Sequence, residues 1–206
     1  MKKTAILIGF LSMNLFSFPQ SVKMVGGINL AKYQFSQNTF ALTSNQKSGF
    51  TGGIAFEIPV SKNLGIEAGL LYAKISSGAM LAVAPDLPIP GIYQYTSLRF
   101  PLMLKISILP ASTPYVLIGP EFSLVLSHKL KLTDTQETYD LKEQTNHLGL
   151  GIHSGVGYAL QINPIAAIFE IRYTIGLSNL YKSEAGLENV KNNSIQFLFG
   201  IQFNFP

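Results

Sequence analysis

The sequence contains no cysteine and little charge, and each shortage excludes a class of protein. Without a cysteine among its 206 residues, the chain has no disulfide framework, thiol catalyst, iron–sulfur cluster or lipid-modified N-terminal cysteine. Charged residues make up 13% of the chain, about half of the ~25% that is usual in a soluble domain. Hydrophobic residues make up an ordinary 47% and the mean hydropathy is +0.28, which together disfavour disorder and a typical soluble enzyme surface. The composition therefore points to a membrane protein.

Long hydrophobic runs are also missing. Beyond the N-terminus no segment approaches 18 uninterrupted apolar residues, so the sequence predicts no membrane-spanning helix there. At the N-terminus, Lys2 and Lys3 precede the apolar stretch 4–11, which is the pattern of a secretory signal peptide. A membrane-anchoring helix is the alternative, although the stretch is short for one. We predict a signal peptide over residues 1–20, cleaved between Ser17 and Ser21, and one domain over residues 21–206.

Clustered basic residues and short catalytic motifs are absent as well. Without Lys2 and Lys3, 13 basic residues stand against 11 acidic ones and form no cluster, so nucleic acid is not an expected partner. The sequence contains no HExxH, GxSxG or GxxxxGK motif. We expect no enzymatic activity, no cofactor and no metal site.

Alternation of apolar and polar residues with a period of two is the strongest pattern that is present. Even positions from Phe50 to Val60 are apolar apart from one glycine, and the run from Tyr95 to Ile108 is apolar at every even position after Thr96. A strand sorts such residues onto one face, whereas a helix scatters them around its axis. Comparable runs cover residues 116–127, 147–160, 165–177 and 194–205, and less regular ones cover 22–33 and 64–76.

Eight such runs predict an all-β fold, an eight-stranded antiparallel up-and-down transmembrane β-barrel. One face of each run carries almost no charge over roughly ten residues, which is enough to cross a bilayer at a tilt. The other face is rich in glycine and small polar residues, which suits the narrow interior of an eight-stranded barrel. A soluble β-sandwich, whose strands also alternate, is the alternative.

Connections between the runs favour the barrel. Short turns at 61–63, 110–113 and 163–164 alternate with longer loops at 34–48, 77–93, 131–145 and 179–192. Outer-membrane barrels have short periplasmic turns and long external loops, and a sandwich has no reason to sort its connections in this way. We therefore expect an integral protein of the bacterial outer membrane, surrounded by its lipid. The terminal residues Phe203–Pro206 resemble the aromatic signal read by the barrel-assembly machinery, which we expect as a partner during biogenesis.

Charged residues within the runs are concentrated on the face opposite the apolar one. We predict that they form a structural salt-bridge network filling the lumen, because paired charges are tolerated there and unpaired charges are costly. A narrow ion path or a proton site is the alternative. The predicted inward-facing set is Glu57, Glu67, Arg99, Lys105, Glu121, His153, Glu170 and Arg172.

Side chains near the strand ends support further hypotheses. His128 and His147 end neighbouring strands and, with carboxylates of the loop 131–145, have the donor types for a metal. Ser127, His128 and Asp134 have the residue types for acyl transfer, but their spacing does not indicate a nucleophile in contact with a base. Tyrosines near strand ends predict the aromatic girdles of a membrane barrel. They are Tyr33, Tyr72, Tyr93, Tyr95, Tyr115, Tyr158, Tyr173 and Tyr181.

Four sequence phrases add a family resemblance. They are KSGFTGG at 47–53, LRFPLMLK at 98–105, PYVLIGP at 114–120 and YTIGLSN at 173–179. In their order and spacing they resemble the PorT-like outer-membrane β-barrel family of Bacteroidota, over about residues 22–205. The resemblance implies an eight-stranded outer-membrane barrel. The namesake of the family is tied to secretion and gliding machinery, so an association with such machinery is a hypothesis for this chain.

Three functions remain open from the sequence. The first is a non-enzymatic barrel that stabilises the envelope or presents its four long loops to an envelope or surface protein. The second is a narrow pore or small-solute transporter of the outer membrane. The third is a lipid-active barrel enzyme. The loops carry the information that distinguishes partners, because binding residues are concentrated on loops held by a rigid scaffold.

Overall fold

The computed structural model describes residues 21–34, 44–84, 87–108, 113–162, 164–182 and 190–205. The predicted signal peptide, the middle of the first and fourth loops, and Pro206 lie outside these ranges. Within the described residues, no helix is long and apolar enough to cross a membrane. The strands of the described part are β1 (Ser21–Gln34), β2 (Ser44–Pro59), β3 (Leu64–Ala84), β4 (Leu87–Ser107), β5 (Thr113–Leu132), β6 (Thr138–Asp140), β7 (Leu148–Ile162), β8 (Ile165–Gly176) and β9 (Lys191–Asn204).

Eight of these strands close a barrel. Strands β1 to β5 pair in chain order, β5 pairs with β7, and β8 and β9 continue the sheet. β9 pairs with β1 from Ser21↔Asn204 to Gln34↔Lys191, which joins the last strand to the first. Every pairing is antiparallel, and the short β6 pairs with the outer end of β5. The predicted eight-stranded antiparallel barrel is therefore confirmed.

The outer surface of the barrel is a belt of apolar side chains. On β8, Phe169, Ile171, Tyr173 and Ile175 are 40 to 50% exposed, and the residues between them are buried. So much exposed apolar surface is unfavourable in water and favourable in hydrocarbon. We call this surface the apolar belt. It comprises the outward-facing residues of 22–30, 50–58, 64–72, 98–106, 116–126, 148–160, 165–175 and 195–205.

Strands β3 and β4 continue furthest beyond the apolar belt on the side of the long loops. The β3–β4 ladder runs on from Ser77↔Tyr93 to Ala84↔Leu87, so the predicted loop over 77–93 is wrong. Its prolines favoured a loop, but proline is compatible with strand positions whose N–H does not enter the ladder. β5 likewise extends to Leu132, and the predicted loop over 131–145 contains β6. The barrel is therefore tallest along β3 and β4, with shorter extensions of the flanking β2 and β5.

A β-bulge reverses the faces of the outer part of β5. Thr96 of β4 pairs with Ser127, but the next residue, Ser97, pairs with Val125. Beyond this bulge His128 is buried in the lumen, whereas Ser127, which parity assigns to the inner face, lies on the outer face with Thr96. One extra residue in a strand moves each following side chain of that strand to the opposite face of the sheet.

Glycines on the inner face of β7 make room for larger lumen side chains. A Cβ atom at Gly157 would overlap the ring of Tyr115, and one at Gly155 would lie 3.1 Å from Cγ of Arg172. Because an eight-stranded barrel has just enough interior space for side chains, small residues on one strand make room for large ones on the neighbouring strands. These two glycines allow Tyr115 and Arg172 to reach the middle of the lumen.

Candidate functional site

Two basic and two acidic side chains form a closed ring of ion pairs in the lumen. Lys23 Nζ lies 2.5 Å from Glu67 Oε2 and 2.5 Å from Glu170 Oε1. Arg172 Nη2 contacts the same two carboxylates, at 2.9 Å from Glu67 and 2.5 Å from Glu170. All four side chains are at most 3% exposed. Since they come from β1, β3 and β8, this central ring ties opposite walls of the barrel together.

Tyr115 connects the central ring with another ion pair nearer the short turns. Its hydroxyl donates a hydrogen bond to Glu170 Oε1 at 2.5 Å. The Lys105 ammonium lies 4.5 Å from the centre of the Tyr115 ring and 2.7 Å from Glu57 Oε2. Ser21 also donates to Glu57, at 3.4 Å. A ring face and a carboxylate both stabilise a desolvated ammonium, so Lys105 is held from two sides.

A further charged cluster lies on the side of the long loops. Arg99 Nη1 is 3.3 Å from Glu121 Oε1, and His153 Nδ1 is 2.7 Å from Glu121 Oε2. Thr174 Oγ1 lies 3.3 Å from the same histidine nitrogen. All four residues are buried. Because an ionised carboxylate only accepts hydrogen bonds, His153 donates from Nδ1 to Glu121.

The structure places all eight predicted lumen residues on the inner face and gives each one a partner inside the barrel. Sequence reasoning missed Lys23, although it shares inward parity with Ser21 and Val25. The Gly26–Gly27 pair interrupts the alternation of β1 and obscures this signal. With Lys23 included, four glutamates face four lysine or arginine side chains, so the charge of the lumen is balanced.

Apolar side chains fill the mouth of the barrel on the side of the long loops, beyond these clusters. They come from β1, β3, β4 and β5 and from the loop that follows β8, and all are buried. Their burial removes apolar surface from water and so stabilises the closed mouth. We call this cluster the outer plug. Its members are Ala31, Ile75, Tyr93, Tyr95, Val125, Leu180, Tyr181 and Val190.

Hydrogen bonds between the third and fourth loops hold the outer plug in place. The backbone N–H of Asn146 donates to the carbonyl of Leu180 at 2.8 Å. Its side-chain amide donates to the carbonyls of Asn179, at 2.9 Å, and Tyr181, at 3.0 Å. Thr145 and Tyr181 also form an antiparallel bridge. The two loops are therefore one packed unit across the mouth.

His128 lies within the outer plug, surrounded by three tyrosines. The centre of its ring is 5.8 Å from the rings of Tyr93 and Tyr95 and 5.5 Å from the ring of Tyr181. These tyrosines come from β4 and from the fourth loop. His128 therefore lies where the barrel wall meets the packed loops.

A hydrogen bond to the third loop fixes the orientation of the His128 ring. The Thr145 hydroxyl donates to the carbonyl of Leu141 at 2.7 Å and lies 2.8 Å from His128 Nδ1. Since that hydroxyl has one proton, it accepts from Nδ1–H of the histidine. His128 lies beyond the apolar belt, and burial lowers its pKa to about 4, against a smaller upward effect of the Asp140 carboxylate. It is therefore neutral at pH 7.

The structure does not bring together the residues of the metal and acyl-transfer hypotheses. His147 is exposed, whereas His128 is buried in the lumen. Among the residues that the structure describes, no group of three or more histidine or acidic side chains is placed to hold a metal ion. Ser127 and His128 point to opposite faces of β5, and Asp134 is exposed in the following turn.

The predicted tyrosine girdle is partly wrong. Tyr72, Tyr158 and Tyr173 are 40 to 45% exposed on the outer face, as a girdle requires. Positions 93, 95 and 115 have the parity of the inner face, and position 181 lies in the loop that fills the mouth. The side chain of Tyr33 lies outside the described part. The tyrosines buried in the lumen are Tyr93, Tyr95, Tyr115 and Tyr181.

The described residues border some open space between the charged clusters and the outer plug. A cavity of about 40 Å³ lies there, bordered by Tyr95, Arg99, Glu121 and Thr174 among others. A buried water needs at least ~10–15 Å³ of such volume, so the cavity has room for a few waters. It is too small for an organic solute.

The comparisons with known proteins agree with this architecture. A family model described as "Outer membrane protein beta-barrel domain" matches residues 20–182, which is more than half of the chain. The chain belongs to this family. As a member, it is an integral β-barrel protein of the bacterial outer membrane. A search of curated proteins finds no match.

This family member is also similar to solved outer-membrane barrels. OprG from Pseudomonas aeruginosa is 12% identical, with a TM-score of 0.52 over 91% of this chain and 97% of its own. Ail from Yersinia pestis is 12% identical, with a TM-score of 0.47 over 89% and 98%. Outer membrane protein W from E. coli is 15% identical, with a TM-score of 0.46 over 92% and 100%. At 12% identity the likeness to OprG concerns the fold alone.

Proposed function

We propose that this outer-membrane barrel is non-enzymatic and acts through its external surface. The barrel anchors the chain in lipid, and the packed loops and the tall side of the sheet present a surface to another protein. The observation that carries the proposal is the double closure of the lumen. Buried ion pairs cross its middle, and the outer plug fills its mouth.

A closed lumen favours a role on the outside of the barrel. A conduit needs a continuous wet path, whereas the central ring holds side chains from opposite walls in direct contact. Separating such a buried ion pair costs free energy, because the separation leaves buried charges without compensation. The lumen side chains are therefore committed to contacts within the barrel, and the outward surface of the loops remains available to a partner.

The external surface has features that suit a protein partner. Tyr139 of β6 is 48% exposed, and its hydroxyl donates to Glu137 at 2.7 Å. Exposed charges of both signs lie in the same segment of the chain, including Asp134 and Lys142. Exposed aromatic side chains are enriched at protein interfaces, whose rims are polar.

The proposed partner is a protein of the cell envelope or of its surroundings. The sequence resemblance to the PorT-like family of Bacteroidota supports a component of secretion or gliding machinery as one candidate. The barrel-assembly machinery is the proposed partner during biogenesis. We assign no catalytic role, since the neutral His128 donates to Thr145 and faces away from Ser127.

Conductance in planar lipid bilayers tests the proposal against a narrow pore. The wild-type barrel and its Arg99→Ala and Arg172→Ala variants are each reconstituted after their heat-dependent gel shift shows that they are folded. We expect no discrete conductance steps from the wild-type protein. Steps whose size changes in Arg172→Ala would overturn the proposal and identify the lumen as a pore.

A further inference from the structure

The outer face of the tall side carries a polar patch directly beyond the apolar belt. Lys74 of β3 pairs with Thr96 of β4, and Thr96 pairs with Ser127 of β5. Gln94 pairs with Lys129 in the same sheet. Directly opposite residues point to the same face, so these side chains form one surface. We call it the rim patch. Its members are Lys74, Gln94, Thr96, Ser127, Lys129 and Lys131.

The rim patch lies at the boundary of the apolar belt. Lys74 stands two residues beyond Tyr72, the last belt residue of β3, which is 43% exposed. Lys74 and Lys129 are exposed, and the other members are half-buried. From strand spacing and rise, the backbone positions of Lys74 and Lys129 are roughly 12 Å apart. The patch therefore lies where hydrocarbon gives way to lipid headgroups.

Basic side chains outnumber acidic ones at this boundary. Among the described residues of the eight barrel strands, every acidic side chain faces the lumen: Glu57, Glu67, Glu121 and Glu170. The acid next to the rim patch is Asp140 of β6, which pairs with Lys129. Three lysines against one aspartate leave the surface basic. At the other end of the barrel, the exposed basic side chain among the described residues is Lys62, in the turn after β2.

We propose that the rim patch binds the phosphate-bearing headgroup of a lipid in the outer leaflet. Lysines close to a membrane surface attract anionic headgroups. The hydroxyls of Thr96 and Ser127 and the amide of Gln94 add neutral hydrogen-bond donors for phosphate or sugar oxygens. A lipid is the occupant because the belt immediately below the patch already lies among acyl chains. The inference rests on the proposed outward position of the long loops.

Native mass spectrometry of the folded barrel tests this inference. The probes are a bisphosphorylated lipid A, the same lipid without its phosphates, and inorganic phosphate. The test variant is K74Q/K129Q/K131Q, and the matched control K62Q/K142Q/K182Q loses three exposed lysines elsewhere. A third variant, K74R/K129R/K131R, keeps the charge of the patch. A heat-dependent gel shift verifies that every variant is folded.

We expect lipid A to bind the wild-type barrel, the control and the arginine variant alike. K74Q/K129Q/K131Q should bind it at least about tenfold more weakly, and added salt should weaken binding to the wild type. Equal affinity of the glutamine variant and the wild type would overturn the inference, as would equal binding of the dephosphorylated lipid. Displacement of lipid A by millimolar inorganic phosphate would instead identify a free-anion site. None of these results depends on conductance, so they test the lipid site independently of the proposed function.

Discussion

Lys23 determines whether the charges inside the barrel balance. It contacts both carboxylates of the central ring, and Arg172 contacts the same two from the other side. Without Lys23, Glu67 and Glu170 would share one cation in a space closed to bulk water. Removal of one member of a buried ion pair is costly because the remaining charge loses its compensation.

We predict that Lys23→Met lowers the stability of the folded barrel by about 3–5 kcal/mol, since methionine keeps the side-chain volume and removes the charge. The measurement is the temperature at which half of the protein loses its compact form in SDS gels. The double variant Lys23→Met/Glu170→Gln restores neutrality and should recover part of the loss.

Lys62→Met is the matched control for this prediction. Lys62 is exposed in the turn after β2, so its loss should leave the transition temperature unchanged. A Lys23→Met barrel that unfolds at the same temperature as the control would show that the central ring does not stabilise the fold.

The alternation of inward-facing and outward-facing residues along each strand predicts most of the side chains that line the lumen. Glu170 and Arg172 alternate with large apolar residues on β8, and the structure places both inside. Parity failed where the backbone departs from regular pleating. The Gly26–Gly27 pair interrupts the alternation of β1, so Lys23 was not predicted as a lumen residue. The bulge of β5 turned His128 inward. A bulge depends on how two strands pair, which one strand's sequence does not specify.

At the scale of elements, the sequence predicts the parts of the strands that cross the membrane. Lipid on one side and packed side chains on the other impose a strict alternation there. Beyond the apolar belt both faces of the sheet meet water or loops, so this constraint ends. For that reason the extension of β3 and β4 over 77–93 and the short β6 were not predicted.

The packed loops should respond to acid through His128. Its pKa falls to about 4 in the folded protein, from an ordinary value near 6.5. The folded protein therefore binds a proton at His128 less readily than the unfolded chain does. The contribution of the neutral His128 to the stability of the fold is complete above about pH 6.5 and is lost as the pH falls towards 4. We predict that hydrogen-exchange protection of the Asn146 amide, corrected for intrinsic rates, decreases between pH 7 and pH 4.5.

His128→Asn separates this effect from general acid sensitivity. Asparagine offers an amide donor to Thr145 but does not titrate over this range. Protection of Asn146 in the variant should therefore change little between the two pH values. A wild-type barrel whose protection is constant with pH would contradict a neutral, buried His128.

Cysteine labelling can determine on which side of the membrane the long loops lie, because the natural chain has no cysteine that would also react. Glu137 is exposed between β5 and β6, and Lys62 is exposed in a short turn at the other end of the barrel. We predict that a membrane-impermeant maleimide labels Glu137→Cys on intact cells and labels Lys62→Cys only after lysis. The reverse pattern would place the long loops in the periplasm.

At the scale of the whole molecule, closure is the property that links the structure to its location. The pairing of β9 with β1 leaves no open edge in the barrel sheet, so backbone groups are satisfied within the bilayer. Ion pairs satisfy the buried charges of the lumen, and the packed loops cover the mouth. Each feature suits a stable barrel in the outer membrane.

The heat dependence of gel mobility tests this account most directly. The outer-membrane fraction is dissolved in SDS and compared before and after boiling. A closed barrel with paired backbone groups resists SDS until it is boiled, so we expect two distinct mobilities in that fraction. A protein found soluble in the periplasm, with one mobility under both conditions, would contradict the account and favour a secreted β-sandwich.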